Sequence, residues 1–520
     1  MSNSSVLIRS LVIYGICLPL AIGIGYMLST PMSYASFSSV LLVLGLLLIP
    51  ILLRWHYPWL VAAWNLNAVV FVLPGRPTVG LTMIAVSMMF SLLQHTLNKN
   101  YKFVHVPAIA WPLIFLTAVV LVTARLTGGI GLAMTGGSSI GGKRYMFFIG
   151  AIIGYFALAA HKIPPQRVAL YVAMFFLSAL TAVVVNLAGL LGPAFSFIYL
   201  VFPIDAAGMM ALDPEAYVGP EGGGVERLGG LSVATTSIAL TLLAFYGIRG
   251  VFDFRKAWRP VLFLLACAAT MYGGFRGNLV TLMLIFSLVF WFEGLMRSHF
   301  LPVFLVIGLL CAAVVLPFAT KLPISVQRTI SFLPLVKVDP IAELDAQAST
   351  EWRLEMWRSV WPQVPEHLVL GKGLSIDPEE LRGFTDRISK ENYAGEALAL
   401  AGDYHNGPLS VVLPFGIAGV IGFLWFLWAG IRVLHDNYRY GNPSYKRINT
   451  FLLAQFIAKA IFFMGVFGSF YGDLVGFTGL LGLSVAINHG RARRPAPNPP
   501  PRWSARCGCA APGRCPAAGH

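Results

Sequence analysis

The chain is dominated by apolar runs that are long enough to cross a lipid bilayer. About fourteen windows of roughly 20 residues carry almost no charge. With 57% hydrophobic and only 11% charged residues, the composition lies outside the range of soluble globular domains, and we predict an all-α polytopic membrane protein with about 12–14 transmembrane helices. The candidate spans are 8–28, 36–53, 57–74, 79–97, 107–124, 144–160, 168–191, 231–248, 260–274, 279–296, 300–318, 409–434, 451–468 and 472–489.

The basic residues indicate how these spans are oriented. The net charge is +15, but Lys and Arg are scattered through short loops and form no single stripe, so we do not expect nucleic acid as a partner. If the N-terminus is cytoplasmic, about fifteen of them fall in short inside loops and about six in short outside loops, as the positive-inside rule predicts. The polar segment 320–408 is then extracytoplasmic.

This polar segment is the longest in the chain, and it organises the predicted regions. It holds a large share of the acidic residues and three tryptophans, and it ends in Asp403-Tyr404-His405-Asn406-Gly407-Pro408. The predicted regions are N-terminal transmembrane helices (1–191), central transmembrane helices with arginines at the membrane rim (192–318), the extracytoplasmic segment (319–408), C-terminal transmembrane helices (409–490) and a disordered cytoplasmic tail (491–520).

Two arginines lie at the outer ends of predicted spans. Arg276 stands between two apolar runs with glycines on both sides, and Arg227 precedes the eighth span. Charged residues in or beside spans are costly and mark functional sites by default. Each arginine could instead anchor its helix by reaching the lipid headgroups, or it could bind an anion through two parallel hydrogen bonds.

The polar segment adds a titratable side chain and an amphipathic helix. His405 lies where the segment meets the next span, and histidine can transfer protons near neutral pH, although a lone loop histidine is usually only solvated. The stretch from Glu351 to Trp361 places Leu354, Trp357 and Trp361 at helical spacing. This pattern predicts a helix that rests on the membrane or packs against the bundle.

Two acidic pairs on the same side are alternative metal ligands. Asp213-Pro214-Glu215 and Glu343-Leu344-Asp345 could each offer oxygens to Mg²⁺ or Mn²⁺. The segment contains no Asp-x-Asp motif, and we expect neither a metal nor a cofactor.

Taken together, these residues resemble the O-antigen ligase and O-antigen polymerase superfamily. The resemblance covers about residues 225–435, and Phe275 stands where the family usually has serine. The motifs that carry it, in chain order, are Arg227-Leu228-Gly229-Gly230, Phe275-Arg276-Gly277, Arg353-Leu354-Glu355-Met356-Trp357, Leu370-Gly371-Lys372-Gly373, His405-Asn406-Gly407-Pro408-Leu409 and Phe415-Gly416-Ile417-Ala418-Gly419.

The resemblance implies a C-type-like glycosyltransferase at the outer face of the bacterial inner membrane. Its donor would be a glycan on undecaprenyl diphosphate, and its acceptor lipid A core or another glycan. The family reaction is inverting and metal-independent. By analogy, His405 activates the acceptor hydroxyl and Arg227 and Arg276 hold the diphosphate, with Arg353 and Asn406 as possible further substrate contacts.

Two other classes of function remain open on the sequence. A transporter or flippase would also have many spans, but it usually shows internal repeats and charges in the middle of spans, and neither is seen here. A scaffold that binds a partner through the polar segment would not explain Arg227 or Arg276. The charges at the membrane rim therefore favour catalysis on a lipid-linked substrate.

Overall fold

The computed structural model describes residues 18–19, 21–23, 25–26, 34–73, 75–98, 103–127, 142–203, 227–333, 336–374 and 402–493. Within these ranges the only β-type pairing is one isolated bridge between Val69 and Thr78. The α-helices there are α1 (Tyr34–Ala63), α2 (Val79–Leu97), α3 (Pro107–Leu126), α4 (Gly142–Ala159), α5 (Val168–Leu177), α6 (Val183–Leu191), α7 (Gly229–Val251), α8 (Trp258–Tyr272), α9 (Arg276–Phe292), α10 (Phe300–Val315), α11 (Ile324–Ile330), α12 (Pro340–Val360), α13 (Val364–His367), α14 (Gly407–Tyr440), α15 (Lys446–Gly465) and α16 (Phe470–Asn488).

Eight helical stretches in the described part of the chain are long and apolar enough to cross a membrane, and three shorter apolar helices accompany them. The prediction of an all-α polytopic membrane protein is therefore confirmed. The eight are Val79–Leu97, Pro107–Leu126, Pro165–Leu191, Gly229–Val251, Phe300–Lys321, Gly407–Tyr440, Pro443–Gly465 and Phe470–Asn488. The shorter three are Leu47–Ala63, Trp258–Tyr272 and Arg276–Phe292.

The predicted division between spans 36–53 and 57–74 is wrong. Helix α1 runs without a break from Tyr34 to Ala63, through Arg54 and past two internal prolines. A single exposed arginine between apolar runs does not end a helix, because arginine is a good helix former. The chain leaves the helical conformation only after Ala63, so the second half of the predicted span 57–74 is not helical.

Small and aromatic residues build the centre of the bundle. A Cβ on Gly482 of α16 would lie 2.7 Å from Leu158 of α4, so glycine permits these helices to approach closely. Phe423, Phe463, Phe470 and Phe477 are fully buried next to this contact, and the rings of Phe423 and Phe470 lie 4.8 Å apart at an edge-on angle. The bundle core is therefore packed through interlocking aromatic rings.

Several helices meet at one end of the bundle, which we call the site end. Helices α7 and α9 begin there and α8 ends there. The Leu228 N–H, just before α7, donates to the Gly273 carbonyl, just after α8, at 3.1 Å. The short helix α11 is held against the same end by Thr329, whose hydroxyl donates to the Met271 carbonyl at 3.0 Å. Helix α12 packs over it, with Ala342, Ala346, Met356 and Val360 buried.

Helix α14 is broken in the middle, and the preceding segment fills the break. Gly416 has φ 60° and ψ −161°, which is not helical. The N–H groups of Lys372 and Gly373 donate to the carbonyls of Leu413 and Pro414 at 2.8 and 2.9 Å, and the Ile417 N–H donates to Leu368 at 2.7 Å. Backbone groups freed by a helix break need such partners in a membrane protein. The Leu370–Gly373 motif is thus a clasp on α14.

The clasp predicts that Gly371→Ala destabilises the protein. Gly371 has φ +83°, and a Cβ there would lie 2.3 Å from the Pro414 carbonyl oxygen. We expect a loss of about 1–3 kcal/mol, the usual cost of a strained backbone conformation. The melting temperature of the purified protein in detergent measures it. Gly308→Ala is the matched control, since Gly308 has no neighbouring atom within 4 Å. Equal melting temperatures for the two variants would contradict the clasp.

Candidate functional site

Three arginines from different parts of the chain surround one carboxylate at the site end. Asp345 on α12 accepts hydrogen bonds from the Arg227 Nη2 at 3.0 and 3.2 Å and forms an ion pair with the Arg328 Nε. Arg276, the first residue of α9, donates from Nη2 to the Ala346 carbonyl at 3.1 Å, and its charge interacts with Arg227 and Asp345. The arginines are thus gathered around the N-terminal half of α12.

Arg328 is the most deeply buried member of this cluster. Its side chain is 5% exposed, its Nη1 donates to the Gly274 carbonyl at 2.6 Å and its Nη2 to the Ser349 hydroxyl at 3.0 Å. Burial and the charge of Arg227 lower the pKa of Arg328 to about 10, despite the opposing effect of Asp345. Burial raises the pKa of Asp345, but the charges of Arg227 and Arg328 outweigh this and leave it below its usual value. Arg328 and Asp345 are therefore both charged near neutral pH.

Arg353 extends the positive cluster along α12. Its guanidinium carbon lies 5.6 Å from the ring centre of Phe467, in the connection between α15 and α16. Burial lowers its pKa, and the charges of Arg276 and Arg227 lower it further. The Arg353 Nε is buried, and no described residue accepts a hydrogen bond from it. Four guanidiniums thus share this end of the bundle with Asp345 as their carboxylate.

His405 borders the cluster on the side of Arg353. Its ring lies between two aromatic rings, with its centre 5.2 Å from that of Trp352 and 4.8 Å from that of Phe467, and it is stacked on the latter. The His405 Nδ1 faces the Asp403 Oδ1 at 3.5 Å. The residue has φ 48°, a left-handed conformation that is uncommon outside glycine and that recurs at functional sites.

The surroundings of His405 favour its neutral form. Burial lowers the pKa of His405, Asp403 raises it, and the positive charge of Arg353 lowers it again, with a net value below 6.5. A neutral imidazole is the form that can accept a proton. With Nδ1 turned towards Asp403, Nε2 is the ring nitrogen that remains for a substrate, a tautomer inferred from this geometry.

Asn406 caps the helix that follows the histidine. Its side-chain oxygen accepts a hydrogen bond from the Leu409 N–H at 3.1 Å, as is usual at the first position of a helix. Next to it, a Cβ on Gly407 would lie 2.1 Å from the Phe463 carbonyl oxygen, so α14 and α15 approach closely at this point. Asn406 and Gly407 thereby fix the start of α14 and the backbone on which His405 stands.

The structure brings together most of the candidates chosen from the sequence. Arg227, Arg276, Arg353 and His405 lie at one end of the bundle, and Asn406 lies beside them as a helix cap. Asp213 and Glu215 lie outside the described residues. The oxygens of Asp345 face guanidiniums, and no cluster of three or more His, Cys, Asp or Glu side chains suited to a metal occurs within the described ranges.

The sequence pattern did not indicate a role for Arg328, and it indicated Asp345 only as a possible metal ligand. Arg328 follows the last apolar run before α12 and resembles any arginine of a polar loop. The sequence therefore gave no indication that its side chain is buried. A signal was present in its position, since Gln327-Arg328-Thr329 lies within about ten residues of the end of the span at 300–318. Polar residues next to a membrane end are frequent site candidates.

Comparison with known families identifies the central part of the chain. Residues 261–424 match the family model described as O-antigen ligase. This part of the chain is similar to the O-antigen ligase family. The match includes Arg276, Arg328, Asp345, Arg353 and His405, whereas Arg227 precedes it. It confirms the resemblance to the O-antigen ligase superfamily. No curated protein matches the chain.

The ion pairs of Asp345 at the site end predict how Asp345→Ala affects stability. Arg328 would stay buried without its carboxylate, and breaking a buried pair in this way costs about 3–5 kcal/mol. The double variant Arg328→Met with Asp345→Ala should lose less than the sum of the two single losses. Melting temperatures of the four proteins complete the cycle, with Glu351→Ala on the exposed face of α12 as control. Additive losses would show that the two side chains do not depend on each other.

Proposed function

We propose that the protein is an inverting, metal-independent glycosyltransferase that moves a glycan from undecaprenyl diphosphate to an acceptor hydroxyl. The observation that carries this proposal is the juxtaposition of a neutral histidine and four guanidiniums at one end of a membrane bundle. The match to the O-antigen ligase family supports glycan transfer as the class of reaction.

The arginines provide the means to bind a diphosphate leaving group. Among the described residues, Asp345 balances one of the four positive charges and Asp403 lies beside His405, so the cluster keeps a surplus that suits an anion. Guanidiniums bind phosphate oxygens through two parallel hydrogen bonds and retain their charge in partly buried sites. We assign Arg227, Arg276 and Arg353 to the diphosphate, where they stabilise the charge that develops as it leaves. Arg328 is a positioning residue, since each of its three nitrogens already donates a hydrogen bond inside the protein.

We assign the role of general base to His405. The acceptor hydroxyl attacks the anomeric carbon from the side opposite the diphosphate, and its proton passes to the His405 Nε2. A bond forms between the acceptor oxygen and the anomeric carbon, and the bond from that carbon to the phosphate oxygen breaks. A single displacement of this kind inverts the anomeric configuration. Asp403 would orient the imidazole and stabilise its protonated form.

The acceptor distinguishes two variants of this proposal. We favour lipid A core as the acceptor, which makes the protein an O-antigen ligase, and the alternative is an O-antigen or exopolysaccharide polymerase that extends a second lipid-linked glycan. The family description supports the first. Purified protein given the same donor with either acceptor separates the two, because the ligase transfers to lipid A core and the polymerase lengthens the lipid-linked chain.

Transport of a polysaccharide or lipid is the rival function, and the two broken helices bear on it. Transporters often bind substrates or ions at such breaks. Here the break at Gly416 is filled by the clasp, and at Gly247 the Glu293 carboxylate accepts the N–H groups of Ile248 and Arg249 at 3.1 and 3.4 Å. Because the protein itself occupies both breaks, catalysis at the site end is the better account.

The base role predicts that His405→Ala lowers turnover about 10²–10⁴-fold with donor affinity nearly unchanged. Because the pKa of His405 lies below 6.5, wild-type turnover should fall only as the pH drops below that value. Asp403→Asn removes a charge that raises the pKa of His405. The fall in turnover of this variant at acidic pH should therefore occur at a lower pH than in the wild type. Turnover of purified undecaprenyl-diphosphate donor between pH 4.5 and about 8 measures both effects.

The matched control is His435→Ala, an exposed histidine at the far end of α14. It should retain wild-type turnover and the wild-type pH profile. Near-normal turnover of His405→Ala would remove this residue from the chemistry. Loss of donor binding without a separate loss of turnover would instead make it a diphosphate ligand.

The proposed location is the periplasmic face of the bacterial inner membrane, and it predicts which positions react from outside. In a background without native cysteines, Glu366→Cys on α13 should react with a membrane-impermeant maleimide in intact spheroplasts. Lys256→Cys, near the start of α8, should react only after lysis. Both positions are exposed in the structure, so access to the reagent depends on the membrane alone. The reverse pattern would place the site end in the cytoplasm and contradict the mechanism.

A further inference from the structure

A second cluster of arginines surrounds a cavity at the end of the bundle opposite the site. Helices α7 and α9 end here and α8 starts here, so the bundle separates this cavity from Asp345. Its volume is about 580 Å³, within the range of small-molecule sites. It is lined by Arg249, Gly250, Phe252, Asp253, Phe254, Arg255, Arg259, Phe300 and Arg447.

The cavity carries a surplus of positive charge. Four of its residues are arginines, and within the described ranges none of them forms an ion pair. The one acidic lining residue, Asp253, uses its Oδ1 to accept the Arg255 N–H at 3.1 Å. Glu293 borders the cavity, but its oxygens accept the backbone N–H groups of Ile248 and Arg249. The charges of Arg249 and Arg447 also act on the Glu293 carboxylate. Among the described residues, four guanidiniums therefore face two carboxylates, Asp253 and Glu293, and the positive surplus favours the binding of an anion.

One of these guanidiniums is already fixed in position. The Arg259 guanidinium lies 3.8 Å from the ring centre of Tyr246, and its Nη1 donates to the Gly250 carbonyl at 3.1 Å. Its Nε is buried, and no described residue accepts a hydrogen bond from it. An arginine held by stacking loses little conformational freedom when it binds a ligand, and an unused buried donor gains most from an acceptor.

The surroundings indicate that the anion belongs to a lipid. Phe254 and Trp258 are 77% and 53% exposed beside the arginines, as is typical of residues at the level of lipid headgroups. Helix α10 starts at Phe300, in the cavity wall, and none of its residues is buried. Its apolar surface therefore offers a path for acyl chains directly below the basic cavity.

We propose that this cavity binds the phosphate headgroup of an anionic membrane phospholipid, with the acyl chains along α10. Basic pockets between transmembrane helices bind such headgroups by this combination of charge and adjacent apolar surface. The site is separate from the proposed diphosphate site in position and does not depend on the glycosyltransferase mechanism.

The test compares lipid binding by purified, delipidated protein in detergent. Native mass spectrometry should show that the wild type binds phosphatidylglycerol at least about tenfold more tightly than phosphatidylcholine. Arg259→Gln and Arg447→Gln should each weaken phosphatidylglycerol binding by about tenfold, the loss expected for one charge-assisted contact. Arg447 is exposed, so its replacement leaves the folded core intact. Arg297→Gln, an exposed arginine at the same end outside the cavity, should bind as the wild type does.

Three results would overturn the proposal. Equal binding of phosphatidylglycerol and phosphatidylcholine would mean that the arginines serve only to orient the protein in the membrane. An equal loss in Arg297→Gln would show a general effect of charge and no defined site. Displacement of phosphatidylglycerol by inorganic phosphate at similar concentration would identify a site for a soluble anion, because a lipid held also by its chains resists such competition.

Discussion

The arrangement of the site depends on the ion pairs between Asp345 and the arginines beside it. Moving a guanidinium out of water is costly, and Arg328 is almost fully buried. Its Nε pairs with Asp345, its Nη1 donates to the Gly274 carbonyl and its Nη2 donates to the Ser349 hydroxyl, which offsets much of that cost. Asp345 also holds Arg227, which comes from a segment 118 residues earlier. One carboxylate thus fixes the relative positions of α7, α11 and α12.

The same carboxylate sets the charge of the site. A carboxylate for each guanidinium would neutralise the cluster and leave no attraction for an anion, whereas the absence of any carboxylate would make the buried arginines repel one another. The pKa of Arg353 falls through burial and through the charges of Arg276 and Arg227, which shows how far that repulsion extends. Among the described residues, Asp345 pairs with the guanidiniums and Asp403 lies beside His405, so the four arginines still leave positive charge for a ligand. The extension of this charge to His405 favours the neutral imidazole.

The sequence predicted the membrane architecture and singled out most of the residues that lie together at the site end, for reasons that differ between residues. Long apolar runs indicate spans directly, and an arginine beside a glycine at the end of a span is conspicuous. Arg276 was singled out in this way, Arg227 by its position before the eighth span, and His405 by its position where the polar segment meets the next span. Arg328 and Asp345 were not assigned to an ion pair, because their roles arise from burial and from contacts between α11, α12 and α7. Helix α1 was wrongly divided at Arg54, because a charge between two apolar runs can mark either a loop or an exposed turn of one continuous helix.

The two ends of the bundle show how one residue type can support different chemistry. At the site end, guanidiniums are fixed by Asp345 and by backbone carbonyls, and a histidine with a lowered pKa stands next to them. At the opposite end, Arg259 is fixed by stacking on Tyr246, and no histidine lines the cavity. A cavity with positive charge but without a base can bind an anion and has no group to take a proton from an attacking hydroxyl. Under the proposed function, the difference between a binding site and a reactive one lies in His405 and Asp403. The clasp on α14 and the Asn406 cap fix the start of α14 next to these two residues and the arginines.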